Sequence, residues 1–312
     1  MFALRGTAIA ITVFVLVYGA LSMLIASMWR IIPRACARLS GRSSAQLLFF
    51  LRMSPIICAA AITTLFAVPS FLLLEPRFVT EPVGEILVLG IFCGIAFVVS
   101  GIVKAARALL ECSRVVRAWT RGARQVHRRG RLAVLRTTGI VPAMTAAGIL
   151  RPALLLSDTA ASALSPREFR VALRHELAHV RRRDNLKKLL LRLVEFPGMG
   201  GLERAWLRAS EMAADEAAVQ GAEDALDLAS ALLKVSRLGC VCAAPGLSTA
   251  LLENPVQVRV ERLLAWGGPH DSVLKASRWH VLGVALAGAA VFAITYGRLL
   301  VEMHTATEWL VR

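Results

Sequence analysis

Four stretches of this chain hold no Asp, Glu, Lys or Arg for long enough to cross the roughly 30 Å of hydrocarbon in a bilayer. They lie between Arg5 and Arg30, Arg52 and Glu75, Glu85 and Lys104, and Arg278 and Arg298. They predict transmembrane helices at about 6–29, 53–74, 86–103 and 279–297. Composition agrees: 56% of the residues are hydrophobic and the mean hydropathy is +0.61, above the range of an ordinary soluble domain. The first stretch is too long and uniform for a signal peptide, and no convincing cleavage site follows it, so it reads as a retained anchor.

Charge then orients the spans. The first loop, WRIIPRACARLSGR, carries Arg30, Arg34, Arg38 and Arg42 and no acid, whereas the second, EPRFVTEP, is net acidic. After the third span come Arg114, Arg117, Arg121, Arg124, Arg128, Arg129 and Arg131. Short basic loops stay in the cytoplasm. Both termini are therefore expected outside, in a multi-pass protein of a bacterial-type inner (plasma) membrane. The domain organisation that follows is a membrane region over 1–110, a cytoplasmic domain over 111–278, and a fourth span with a short external tail over 279–312. The net charge of +16 fits this positive-inside bias. With 12 Phe and 2 Tyr spread over the chain there is no stacking platform, which argues against direct nucleic-acid binding. On a helix the arginines of 114–131 form one basic face, expected to lie against anionic lipid headgroups. The cysteines include no C-x-x-C pair, so neither a zinc ribbon nor a disulfide framework is supported.

Within 111–278, RLAVLRTT reads as β-like and Ala153 to Ser157 as a short buried strand. Ser165, Pro166 and Glu168 form an S-x-x-E start signal for a helix. That helix carries ALRHELAHVRRRDN, with the pattern H-E-x-x-H. His175 and His179, one turn apart, share a face and can bind one zinc ion, with Glu176 beside them to take a proton from zinc-activated water. Phe169, Leu173, Leu177 and Val180 are the expected core face of the same helix. A catalytic zinc takes three protein ligands and keeps one open position. Downstream, ASEMAADEAAVQG places Glu211 and Asp215 on one helical face: Glu211 can be the third ligand and Asp215 an acceptor for a ligating histidine. Ala213, Ala214, Ala217 and Ala218 would let the two helices approach closely. LKKLLLRLVEF, between them, is amphipathic and reads as interfacial.

LSPREFRVALRHELAHVRRRDNL followed by EMAADEAAV closely resembles the BlaR/MecR-type family of integral-membrane zinc metallopeptidases, and is more distantly similar to the HtpX and CAAX-prenyl proteases. The resemblance spans roughly residues 140–265, including RVERLL near 259–264. It implies a mainly α membrane protein, with four transmembrane helices and a cytoplasmic α+β, gluzincin-like zinc peptidase domain inserted between helices 3 and 4. By it His175, His179 and Glu211 would hold one Zn2+ per chain, Glu176 would be the general base, and Asp215 would support a ligand. Two departures stand out. Beta-lactam receptors of the family carry a large sensor domain after the last span, which this sequence lacks, so beta-lactam sensing is not expected. Many relatives also have a W-x-H-P segment where this chain reads EFPGMGGLERAW.

The expected activity is hydrolysis of peptide bonds in a cytoplasmic or membrane protein, in signal-dependent regulation such as repressor cleavage. An extended substrate could add to a strand edge around Thr145, Leu154, Leu155 and Leu156. His127, His270 and His304 are candidate oxyanion donors by residue type alone. The competing reading is a non-catalytic membrane signalling scaffold with a structural zinc site. Glu176 argues against it, since a structural site has no use for a base beside its ligands.

Overall fold

A computed structural model of the chain describes residues 2–29, 39–76, 84–129, 132–137, 144–149, 153–237, 256–268 and 278–311. Its first elements are the helices α1 (Phe2–Met28), α2 (Gly41–Leu74) and α3 (Glu85–Thr120). Four strands follow: β1 (Arg124–Arg129), β2 (Leu132–Thr137), β3 (Met144–Ala147) and β4 (Ala153–Ser157). Then come α4 (Asp158–Ala163), α5 (Pro166–Arg182), α6 (Asp184–Leu193), α7 (Gly200–Ala218), α8 (Ala222–Arg237), α9 (Val256–Leu264) and α10 (Arg278–Val311). The chain divides into two compact units. One comprises Met1–Met28, Leu51–Gly101 and Val273–Arg312, the other Trp29–Phe50 and Ile102–Ser272.

α1, α2 and α3 are each long and apolar enough to cross a membrane. The fourth expected span falls on α10, of whose side chains residues 278–291 lie outside those described. The helices overrun the expected spans. α2 starts at Gly41 and α3 continues to Thr120, because a charged side chain marks the edge of hydrocarbon without breaking backbone hydrogen bonds. Arg52, expected to bound the second span, instead lies within α2, where it is 2% exposed and hydrogen-bonds Tyr18. Ala8, Ile9 and Val13 of α1 pack with Ala67 and Phe71 of α2 and Leu87 of α3. α3 comes so near α1 that a Cβ at Gly90 would sit 2.2 Å from Thr12 Oγ1.

α2 is not uniform. Residues Thr63–Ala67 form a π turn, with the Val68 N–H on the Thr63 carbonyl, just before Pro69. Proline has no N–H, so the Leu65 carbonyl loses its helical donor. The Tyr296 hydroxyl of α10 donates to that carbonyl at 2.8 Å. In a water-free environment this satisfies a group that would otherwise be stranded.

In the second unit a four-stranded sheet runs β1-β2-β4-β3. β1 and β2 are antiparallel, β2 and β4 parallel, and β3 and β4 antiparallel. The arginine run does not form one helical face. Arg114 and Arg117 end α3, Gly122 turns the chain at φ +77°, and Arg124, Arg128 and Arg129 lie on β1. β4 is the buried strand expected of ALLLS. It is paired on both sides, so Leu154, Leu155 and Leu156 have no free edge, and the substrate-edge expectation is corrected for all three. Thr145 lies on β3, an outer strand.

The helices pack through Val171 of α5, Ala218 of α7, Ala225, Leu228 and Ala229 of α8, and Val260 and Leu263 of α9, with Val219. The core face of α5 is thus Val171, His175 and Ala178. Of the four residues expected there, Phe169 packs on Leu156, while Leu173 and Leu177 line an open groove rich in arginine and acid. Phe169, Leu173, Leu177 and Val180 centre about half a turn round the helix from its buried stripe, at 3.6 residues per turn. α6 takes the helical form of the amphipathic segment, and its Lys187 lies over the Phe49 ring.

Candidate metal centre

α5 begins as its sequence dictates. The Ser165 side chain accepts from the Glu168 N–H and the Glu168 side chain accepts from the Ser165 N–H, with Pro166 in the first turn. Glu168 also takes Ser230 Oγ at 2.5 Å and Lys234 Nζ at 2.8 Å, both from α8. Two turns on, His175, Glu176 and His179 share one face of α5. Arg183 then adopts the left-handed conformation (φ 54°) and ends the helix. The next residue, Asp184, starts α6 with its carboxylate turned back beneath His179.

α7 brings the third group. Ala209, Ala213, Ala214 and Ala218 are buried and give α7 its small-residue face, whereas Ala217 is exposed. Glu211 thereby reaches both imidazoles. The separations are 3.2 Å between the two Nε2 atoms, 3.6 Å from His175 Nε2 to Glu211 Oε2, and 3.5 Å from His179 Nε2 to Glu211 Oε1. This is a group that could hold a metal ion. With ligand bonds of about 2.0–2.1 Å, a tetrahedral ion has ligand–ligand edges of about 3.3–3.4 Å, and the three separations bracket that value. Two imidazoles and a carboxylate are also the donor set of one class of catalytic zinc site. The residues present fit the ion.

Each imidazole is steadied from its far side. His179 Nδ1 lies 2.8 Å from Asp184 Oδ2, and Ser210 Oγ donates to the same oxygen at 3.0 Å. His175 Nδ1 lies 2.9 Å from Asp215 Oδ1, in a charge contact that is off the ring N–H line. A carboxylate at Nδ1 keeps the proton there and leaves Nε2 facing the shared point. Burial lowers the His179 imidazole, but the Glu211 charge and the Asp184 contact outweigh it and push it up to about 10. Burial would raise the Glu211 carboxyl, yet His179, His175 and Arg259 hold it well below the usual carboxylate range.

Glu176, on the same face, accepts the Ala146 N–H of β3 at 2.8 Å. Asn185 Nδ2 donates to the carbonyls of Ala146 and Gly148, at 3.1 Å each. α5 and α6 together thus fix the outer strand beside the site. His304 contacts Glu75 and Glu308 within the first unit. His270, Cys240 and Cys242 lie outside the described residues, as does the side chain of His127.

The structure brings together His175, Glu176, His179, Glu211 and Asp215. Sequence reasoning missed Asp184, Asn185 and Arg259, although D-N and R-V-E-R-L-L were in view. The rarity of acids in this basic domain, which singled out Glu211 and Asp215, applies equally to Asp184. A comparison with curated proteins finds no match. The BlaR1 peptidase M56 family matches residues 70–263, reaching back into α2 and forward through α9, and so extends well upstream of the resemblance seen from motifs. A membrane-associated chain with two histidines and a glutamate converging on one point belongs to that family of metallopeptidases, BlaR1 peptidase M56.

Proposed function

We propose that this protein is a zinc metalloendopeptidase of a bacterial-type inner membrane. It would cut a cytoplasmic or membrane protein, such as a transcriptional repressor, in response to a signal. The observation that carries this is the convergence of His175, His179 and Glu211 with a carboxylate, Glu176, free of any ligand role beside them. Bound zinc would supply Lewis acidity at the scissile carbonyl and lower the pKa of water, so that it can give up a proton and attack near neutral pH. Glu176 is placed to accept a proton from the attacking water and pass it to the departing amine, so that one C–N bond breaks and one C–O bond forms. Asp184 and Asp215 hold the imidazoles in orientation. An extended substrate adding to β3, where Thr145 lies, would have to displace Glu176 from the Ala146 N–H and Asn185 from the Ala146 carbonyl.

The topology belongs to the same reading: four spans with α10 as the fourth, both termini outside, and the zinc domain in the cytoplasm. It is supported by the arginines of the first loop and those after the third span.

Glu176→Gln tests the reaction. The purified variant should keep zinc, by metal analysis, and lose cleavage of a co-expressed repressor or of itself. Equal cleavage by both forms sinks the protease reading, and a wild-type protein free of zinc sinks the metal reading.

A further inference from the structure

α9 sends Arg259 into the metal centre from a helix that begins more than forty residues after Glu211. The side chain is 6% exposed. Its Nε lies 2.9 Å from Asp215 Oδ2 and its Nη2 lies 2.6 Å from Asp215 Oδ1, a two-point grip on one carboxylate. Nη1 lies 3.1 Å from Glu211 Oε2. Nη2 also approaches His175 Nε2 at 3.4 Å. One guanidinium therefore touches one proposed ligand carboxylate, the carboxylate behind a ligand imidazole, and that imidazole. Val260 and Leu263 seat α9 in the core, and Arg262, one turn on, pairs with Glu216 of α7.

We propose that Arg259 is a positioning residue for the metal, a role that rests on the zinc reading above. Two acids, Glu211 and Asp215, sit one turn apart on α7 beside a third, Glu176. Left alone, such a cluster relieves its repulsion by swinging a side chain outward. A buried guanidinium removes that escape. Its planar fork fixes Asp215 in the orientation that holds His175, and its third nitrogen keeps Glu211 facing the imidazoles. Lysine offers the charge without the fork, so it cannot grip Asp215 at two points and reach Glu211 together. Arg259 acts through these side chains and does not itself ligate: a guanidinium carries no lone pair to give.

The test uses full-length protein in detergent, with Arg259→Met and Arg259→Lys beside wild type. Zn2+ affinity is read by competition with a chromophoric chelator. Ligand geometry is read from the visible bands of the Co2+-loaded protein, and folding from helical circular dichroism. The expected result is Zn2+ affinity weakened roughly 10–100-fold in Arg259→Met, with a partial recovery in Arg259→Lys and altered Co2+ bands in both. A purely structural role would change folding and leave the Co2+ bands of folded protein as in wild type. Wild-type affinity and wild-type bands in a folded variant overturn the proposal. Arg259→Lys keeps the buried charge and carries the test alone should Arg259→Met fail to fold. A wild-type protein that binds no Zn2+ fails the metal reading itself, an outcome distinct from the failure of Arg259 alone.

Discussion

Glu168 serves two ends at once: it closes the cap of α5 and ties α8 to it through Ser230 and Lys234. Burial raises its carboxyl, but Lys234, Ser230 and the Ser165 N–H outweigh that and hold it at about 2, against an ordinary 4.5. A carboxyl lowered on folding stabilises above its unfolded value and loses that stabilisation as pH falls through the folded one. The linked contribution is of the order of 3 kcal/mol at neutral pH. Glu168→Gln should therefore lower the thermal midpoint at pH 7 by about 6–12 °C, at roughly 2–4 °C per kcal/mol. The gap to wild type should narrow from pH 4.5 towards pH 2. Melts followed by circular dichroism check this, and a gap of the same size at pH 7 and pH 3 would refute the charge origin. The cap itself was legible because Ser165 and Glu168 are three residues apart. Lys234 and Ser230 were not, because they lie more than sixty residues away and arrive only when α8 packs on α5. The same distinction separates His175, His179 and Glu176, fixed by helical period, from Asp184 and Arg259. Asp184 depends on the sharp turn at Arg183, and Arg259 on the docking of a distant helix.

Among the elements, α2 is where local chemistry and membrane packing meet most directly. Pro69 removes one donor, Thr63–Ala67 widen into a π turn, and Tyr296 of α10 answers the Leu65 carbonyl. Tyr296→Phe should cost about 1 kcal/mol, the usual scale for stranding one acceptor. With Pro69→Ala, residue 69 regains an N–H that can reach Leu65, so the cost of Tyr296→Phe should shrink towards zero. Thermal stabilities of the four proteins in one detergent form a double-mutant cycle. Additive effects would show that the hydroxyl is not covering the carbonyl freed by Pro69. The elements also show why apolar runs locate spans better than they bound helices. Arg52 and Arg117 lie inside α2 and α3, since charge constrains the surrounding medium and not backbone geometry. Gly122, with positive φ, is what stops α3 and sends half the arginine run into β1. β4 was recognisable from ALLLS as a buried strand, but its place between β2 and β3 is a property of the whole sheet. A run of apolar residues cannot reveal that its strand is interior, which is why Leu154, Leu155 and Leu156, unlike Thr145 on β3, offer no substrate edge.

For the whole molecule, the side of the membrane that holds the metal centre follows from the parity of the spans. α1, α2 and α3 are long and apolar enough to cross. Three crossings put residues on either side of the membrane region in opposite compartments, and a crossing by α10 returns the chain to the side on which it began. The arginines at 30, 34, 38 and 42 and those from 114 onward mark two segments separated by an even number of crossings, so both should face the cytoplasm. A peptidase that consumes a cytoplasmic repressor requires that arrangement. Fusions can read it in living cells. Green fluorescent protein joined after Gly267 should fluoresce, and alkaline phosphatase at the same point should be inactive. After residue 312 the pattern should reverse. Fluorescence at both positions would mean that α10 lies in the cytoplasm or on the membrane surface and that the protein crosses three times. Active phosphatase after Gly267 would place the centre formed by His175, His179 and Glu211 outside the cytoplasm. No cytoplasmic repressor could then be its substrate, and the search would turn to proteins exposed on the outer face.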